Sequence, residues 1–555
     1  MPSTDFPETL RNALVRAARE YPTRGVTLVR SRRREECRTF TELLEAVRVG
    51  AGRLAAHGVR AGDRVVVSLS TSWQWLDTWL GALWLGAIPV ATAPGSSLAD
   101  LRRLGRVIEL LGGARVIAGP LVAAKVELSP VYGLAEAILT PEALAATTPW
   151  AVSEDLDVDP ETVAFLQLTS GSTASPRAAM INHRNALHNV RAIDEATGAA
   201  HGAPAHTWID GWVSWLPLFH DMGLVGGVLN SIAHGFDLCL MSPRRFVGDP
   251  SHWLEILGRR GTVLATAPNF GYQLCAERSE RIRHAAPDLK GWRAAMVGAE
   301  MIQPDTVENF CREFEPLGFA ASAMCPCYGL AEATLAVTYD QRGEGLRTRR
   351  APSGESLGRH VASVGSPVID TQIRITAPDG TELPTGREGE VRVKGPGVFQ
   401  GYFNDPEATA QALQEGWLRT GDLGFSHDGE LYLTGRLKEL LIIHGHNIAP
   451  HEIEWLVTGA ADSGGSHRCG AFSVSRGVEG EVPVVVLETS VVAPETLRDL
   501  EREIRLRVAH ELSLSLADVV FVRRGQIPKT TSGKVQRHEL CRRYLADELE
   551  RKQPA

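Results

Sequence analysis

A chain of 555 residues exceeds what one hydrophobic core normally serves, so two or more domains are expected. Its 58 basic and 66 acidic residues give a formal charge of -8, which argues against a general nucleic-acid binder, since those need a cationic surface. Eight cysteines with no C-x-x-C pair exclude a small disulfide framework and fit a reducing cytoplasm.

The N-terminus MPSTDFPETL has no basic patch ahead of an apolar core, so no secretory signal is expected. Arg32, Arg33, Arg34 and Arg38, interrupted by Glu35 and Glu36, read as a solvated strand or turn ahead of a binding patch. From Thr39 the pattern TFTELLEAVRVGAGRLAAHGV has helical spacing, and AGDRVVVSL adds a turn and a buried strand. The apolar stretch WLDTWLGALWLGAIPVATAPG is broken by Asp77, Pro89 and Pro94, so it predicts a buried helix and a strand near Ile88 to Val90, not a membrane span. Helix and strand alternation returns at Gly261 to Ala267, at Trp292 to Val297 and through Glu332, which predicts parallel sheets covered on both faces.

Cys325 and Cys327 have strand spacing and read as buried structural thiols, not a zinc half-site. Between about Val364 and Tyr432 short alternating strands with Gly and Pro turns indicate a β-rich subdomain. GPGVFQG, Gly395 to Gly401, has its third glycine one position late for a dinucleotide fingerprint and is read as a turn. Beyond Lys438 the chain returns to mixed α/β, enough for a small separate domain. The expected fold class is therefore α/β: residues 1–437 form a large N-terminal domain of two parallel-type subdomains plus the β-rich one, and 438–555 a small α+β C-terminal domain.

Four separated stretches carry chemistry when read together. In TSGST, Thr169, Ser170, Gly171, Ser172 and Thr173, hydroxyls and backbone N–H groups can form an anion-binding concavity, although alone such a turn is an ordinary surface loop. In CYGLAEAT, Tyr328 beside Gly329 can cover a base ring and Glu332 can ligate a hard cation. WLRTGDLG presents Asp422 from a glycine turn, as needed to accept hydrogen bonds from two ribose hydroxyls. IPKTTSGKVQR is a hydroxyl and glycine loop that ends in Lys534.

In this order and spacing the motifs resemble the adenylate-forming superfamily of acyl-CoA synthetases, peptide-synthetase adenylation domains and luciferases, over nearly the whole chain. SWLPLFHDMGL, APNFGYQLC, WRAAMVGAE and the YGLAEAT form with Ala331 resemble its fatty acyl-AMP ligase branch. The resemblance implies an ATP- and Mg2+-dependent enzyme that converts a carboxylic acid to its acyl adenylate, releases pyrophosphate and lets a thiol take the acyl group.

It further implies that residues 1–437 are the adenylation domain and that 438–555 are mobile, with Lys438 as hinge and Lys534 as the lysine bridging substrate carboxylate and α-phosphate. Glu332 would ligate Mg2+, adenine would lie against Tyr328 and the turn Gly298, Ala299, Glu300, and Asp422 with Arg436 would hold the ribose. Asn269, Phe270 and Gly271 would line the acyl channel, with Phe270 equally readable as core. His220 is open between closing the acyl-pocket mouth and a hydrogen-bonded core histidine. His444, His446, His451 and Glu452 tempt a metal reading, but the resemblance assigns their loop to the thiol-transfer site.

Two departures stand out. Where the family's phosphate loop continues with glycine, a variable residue, proline, lysine and glycine, this chain has Ala174, Ser175, Pro176, Arg177 and Ala178. Arg177 keeps a permanent cation as a planar fork. The stretch TYDQRGEGLRTRRAPSGESLGRH is also short for the insertion that the branch associates with refusing coenzyme A. The acceptor is thus an acyl carrier protein or, alternatively, free coenzyme A; a nucleotide-binding protein without chemistry is the reading from another class.

Overall fold

The computed structural model describes residues 6–128, 134–153, 158–169, 176–199, 204–207, 209–341, 343–352, 360–443, 446–461, 468–475, 481–491, 493–512, 514–530 and 533–552. Two large sheets dominate the N-terminal domain. In the first, the strands Met324–Gly329, Trp292–Val297, Val263–Ala267, Gly211–Ser214, Asp237–Met241 and Gly25–Ser31 lie side by side and parallel. In the second, Ile138–Leu139, Arg115–Ala118, Arg64–Ser68, Ile88–Ala91 and Val163–Thr169 are parallel.

The expectation of parallel sheets holds for their interiors and not for their edges. Arg34–Thr39 pairs antiparallel with Gly25–Ser31, Ala336–Tyr339 with Met324–Gly329, and Arg177–Asn182 with Val163–Thr169. A short link can only fold a strand back beside its predecessor, whereas a parallel neighbour needs a long crossover. These edge strands follow their partners after short links and so could not have been parallel.

Local sequence sets the first helices. Phe40–Ala56 begins with a capping box, in which the Glu42 N–H donates to Thr39 Oγ1 at 3.2 Å and the Thr39 N–H donates to the Glu42 carboxylate at 2.8 Å. The apolar stretch expected to be buried forms helix Trp73–Trp84, capped by Ser72, followed by strand Ile88–Ala91. Trp75 and Trp79 stack within it, fully buried. Among the described residues no helix is long and apolar enough to cross a membrane.

The β-rich subdomain is a sheet of Gln372–Thr376, Gly389–Lys394, Trp417–His427, Leu413–Gln414 and Glu430–Arg436. A buried ion cluster ties it to the first sheet: Arg347 donates to Asp340 at 2.9 Å and to Glu430, which also accepts from Ser363 Oγ at 2.9 Å. Asp340 and Glu430 are nearly inaccessible, so removing their cation leaves charge stranded in the interior. Arg347→Ala is expected to cost about 3 kcal/mol, read as a lower urea midpoint of the N-terminal domain.

The C-terminal domain has its own apolar core, with Ile453, Val457, Val485, Leu487, Ile504, Val508 and Phe521 packed together. Its sheet of Arg468–Ser475, Glu481–Glu488 and Asp518–Val522 is flanked by helices Pro450–Ala461, Pro494–Leu512 and Arg537–Leu545. Cys325 and Cys327 are buried on their strand, and burial pushes both thiols up, that of Cys327 to about 12, as suits inert structural thiols.

Candidate active site

The carboxyl ends of the parallel strands of the first sheet gather most of the residues singled out from sequence, as expected of open α/β sheets. Strand Trp292–Val297 runs into Gly298, Ala299 and Glu300. A Cβ at Gly298 would lie 2.6 Å from the Cys327 carbonyl oxygen on the next strand, and Ala299 has φ of 67°. Only glycine permits the first contact, and the second bends the turn toward Asn269–Gly271. The Glu300 carboxylate there accepts the Phe270 N–H at 2.7 Å, and Asn269 Oδ1 accepts the Gln303 N–H at 3.1 Å. The Gly298–Glu300 turn and Asn269–Gly271 are thereby one unit.

Gly271 sits against aromatic rings; a Cβ there would meet Trp215 at 2.9 Å. Trp215 stacks on Phe246 with centroids 3.7 Å apart and meets Phe270 edge-on at 5.7 Å. Phe270 is only partly buried, so it faces the site while packing on the core.

Tyr328, at the end of strand Met324–Gly329, donates its hydroxyl to Asp422 Oδ2 at 2.6 Å. The other oxygen of Asp422 accepts from Arg436 Nε at 2.6 Å, and the two residues are cross-strand neighbours in the β-rich sheet. Burial, together with the neighbouring Asp422 carboxylate, pushes the Tyr328 phenol well up, while Asp422 raises the Arg436 guanidinium further against its desolvation. Tyr328, Asp422 and Arg436 therefore form one preassembled polar unit.

Glu332 follows Gly329, whose close approach to the Leu335 carbonyl excludes any Cβ. Its carboxylate accepts the Tyr402 hydroxyl at 2.7 Å, and its backbone carbonyl accepts the Phe399 N–H at 2.9 Å. Burial pushes Glu332 up, opposed by Tyr402 and Arg436 and reinforced by Asp221. A half-buried carboxylate in the field of a second one, Asp221, would suit a hard cation, because Mg2+ takes one or two carboxylates plus phosphate oxygens. The segment read from sequence as the mere turn GPGVFQG thus buttresses Glu332, and Tyr402 just beyond it holds the carboxylate. Nothing in their composition signalled this.

Thr169 closes strand Val163–Thr169 in register with Arg177. Ser170, Gly171, Ser172 and Thr173, with Ala174 and Ser175, lie outside the described residues. Arg177 lies 3.7 Å from Asp405 and 5.2 Å from the Tyr402 ring centre, linking the end of that hairpin to the Glu332 support.

His220 Nδ1 lies 2.5 Å from Asp221 Oδ1. The Gln167 amide donates to the Phe219 carbonyl at 2.9 Å and pins this turn to the second sheet. Asp221 was not singled out from sequence, although it stands beside His220 in LFHDMG. It is buried; desolvation raises its carboxyl, but His220, the Met222 N–H and Lys534 outweigh this and hold it below the ordinary range.

The Lys534 loop reaches this cluster from the C-terminal domain. The Lys534 N–H donates to Thr530 Oγ1 at 3.1 Å and the Thr530 N–H to the Lys534 carbonyl at 2.7 Å. Gly533 packs close to Phe270. Burial and the Arg436 charge lower the Lys534 ammonium, while Asp221, Glu300 and Asp422 oppose that fall. Behind the loop, Arg537 bridges Glu439 at 2.6 Å and Glu454 at 2.7 Å. Lys438 is exposed in the turn Leu437–Glu439, His451 is buried against Trp455, and His444 and the side chain of His446 lie outside the described residues.

Removing Asp221 removes a charge that keeps Lys534 protonated. Asp221→Asn is expected to move the alkaline limb of the rate profile to lower pH, since the lysine then loses its proton earlier; an unmoved limb would show that the two do not interact.

Known proteins resemble this chain. The model of the family "AMP-binding enzyme" matches residues 14–403. The medium-chain-fatty-acid–[acyl-carrier-protein] ligase JamA of Moorena producens (strain JHB) is 31% identical over 548 residues, covering 92% of this chain and 90% of that protein. The long-chain-fatty-acid–AMP ligase FadD23 of Mycobacterium tuberculosis (strain CDC 1551 / Oshkosh) is 33% identical over 528 residues, covering 88% of each. A solved structure from work on fatty acyl-adenylate ligases from E. coli and L. pneumophila superposes with a TM-score of 0.87 at 30% identity, covering 98% of both chains. With the Lys534 loop, the Tyr328–Asp422–Arg436 unit and Glu332 assembled at one sheet edge, these likenesses identify the chain as a member of the AMP-binding, adenylate-forming enzyme family, in its fatty acyl-AMP ligase branch.

Proposed function

We propose that this protein activates a fatty or related carboxylic acid with ATP and passes the acyl group to the phosphopantetheine thiol of an acyl carrier protein. The observation that carries the reading is the Lys534 ammonium, brought from the C-terminal domain into the field of Asp221, Glu300 and Asp422, beside Phe270. In the first step a carboxylate oxygen of the acid bonds to the α-phosphorus and the bond to pyrophosphate breaks. Lys534 meets the charge gathering on the α-phosphate oxygens, from a position already fixed before the reaction.

Asp422 and Arg436 orient the ribose, Tyr328 and the Gly298–Glu300 turn hold the base, and Thr169, Ser170, Gly171, Ser172 and Thr173 cradle the outgoing phosphates. Mg2+, held by Glu332 and phosphate oxygens, would neutralise charge on the departing pyrophosphate. Asn269, Phe270 and Gly271 receive the acyl chain, with His220 at its mouth. In the second step the thiolate bonds to the acyl carbon, the bond from that carbon to the adenylate oxygen breaks, and AMP leaves. A pivot at Lys438 exchanges the Lys534 face for the thiol-transfer face between the steps.

The carrier acceptor is supported by the activity that JamA's name states. Free coenzyme A is the second reading, favoured by the short segment between Thr334 and Ser363. Incubation with ATP, a panel of acids, and either a phosphopantetheinylated carrier or coenzyme A is expected to load the carrier. Efficient acyl-CoA formation without carrier loading would overturn the carrier reading and leave the adenylation reading standing.

A further inference from the structure

An open pocket of ≈ 460 Å³ has none of the candidate active-site residues in its lining, which includes Arg32, Arg244, Arg245, Asp249 and His252. It sits where strands Gly25–Ser31 and Asp237–Met241 end, at the carboxyl edge of the same parallel sheet, a position at which such sheets bind ligands. The ten-residue helix Pro250–Arg259 begins beside it and turns its positive end toward the pocket.

The charges there are unevenly matched. Arg32, in the exposed turn expected from sequence, donates to Asp249 at 2.7 Å, to Glu255 at 2.6 Å and to Ser251 at 2.7 Å. Asp249 also accepts from Ser251 at 2.5 Å. Both carboxylates near the pocket are thereby engaged with Arg32. The Arg245 guanidinium gives one hydrogen bond, to the Arg30 carbonyl, and the Arg244 guanidinium is exposed with no hydrogen bond or ion pair among the described residues. Two guanidiniums are left over, in a chain whose net charge is negative.

His252 is the second, independent sign. It is 1% exposed, and neither ring nitrogen has a hydrogen-bond partner. Burial and the surrounding arginines lower its pKa, so it presents one N–H donor and one acceptor as a neutral ring. Leaving a buried N–H unpaired is costly, and an acceptor arriving in the pocket would recover that cost. A pocket of this volume falls within the roughly 300–1,000 Å³ typical of small-molecule sites and exceeds the needs of a lone ion.

We propose that this pocket binds the phosphate group of a phosphorylated small molecule through Arg244, Arg245 and His252, at a site separate from the adenylation centre. Arg244 and Arg245 supply the charge-assisted hydrogen bonds and the His252 N–H fixes one phosphate oxygen.

Isothermal titration of the full chain with inorganic phosphate, pyrophosphate, adenosine 3′,5′-bisphosphate and unphosphorylated adenosine tests this, comparing wild type with Arg244→Ser, Arg245→Ser and His252→Gln. Arg244 is exposed, so its replacement is expected to leave folding and acid-dependent pyrophosphate release unchanged. It should weaken phosphate-bearing probes by about tenfold, the loss of one charged hydrogen bond. Tighter binding of the bisphosphate than of the inorganic probes, sensitive to Arg244→Ser, assigns the pocket to an esterified phosphate. The reverse order with the same sensitivity assigns it to the free anion and refutes the organic ligand. Binding of every probe that is indifferent to Arg244→Ser and Arg245→Ser, or no binding at all, overturns the site. Pyrophosphate release, measured in the same variants, reports separately on the adenylation reading.

Discussion

Lys534→Ala is expected to reduce acid-dependent pyrophosphate release by on the order of 10²–10³-fold while ATP binding is largely retained, because the lysine's charge is needed where the transition state builds its own. The nucleotide contacts proposed for Tyr328, Asp422 and Arg436 all come from residues that precede the C-terminal domain's core. Removing the ammonium leaves that unit intact. Arginine in its place is not expected to rescue the rate, since a planar fork does not reproduce a compact charge in so confined a space. Unchanged pyrophosphate release in the alanine variant would remove the assignment of Lys534.

Glu332→Gln is the second large effect. The amide keeps shape and volume and can still accept the Tyr402 hydroxyl, so folding should survive. The negative charge is lost, and with it most of the protein's pull on a divalent cation. Turnover is expected to fall on the order of 10²-fold, with a rise in the Mg2+ concentration giving half-maximal rate. Binding of Mn2+ in the presence of ATP, followed by electron paramagnetic resonance, gives a readout independent of turnover. Identical Mn2+ affinity in the variant would show that Glu332 acts otherwise.

Much of this site was legible before any coordinates. Asp422 stood out as a carboxylate presented from a glycine turn, and the structure gives its two oxygens partners in Tyr328 of the first sheet and Arg436 on the neighbouring strand. The parallel interiors were legible because helix and strand alternate with a regular period. What stayed hidden depended on contacts between distant segments. Asp221 looks like an ordinary neighbour of His220 until Lys534, more than three hundred residues on, is brought into its field. Tyr402 and the GPGVFQG turn acquire meaning only because strand Arg177–Asn182 pairs beside them and Glu332 arrives from another sheet. Arg32 lies in an exposed turn, as its charged run led one to expect, but its carboxylate partners lie over two hundred positions away and could not be read from the sequence.

The Arg537 bridge has a mechanical consequence. By joining the end of the Lys534 loop to Glu439 in the inter-domain turn and to Glu454 on helix Pro450–Ala461, it makes loop, turn and helix a single lever. Such a lever cannot withdraw its tip while its base stays put. The ammonium therefore arrives and departs only with the domain that carries it, and were that domain to turn about Lys438 as proposed, pyrophosphate returning to the cleft would no longer meet Lys534.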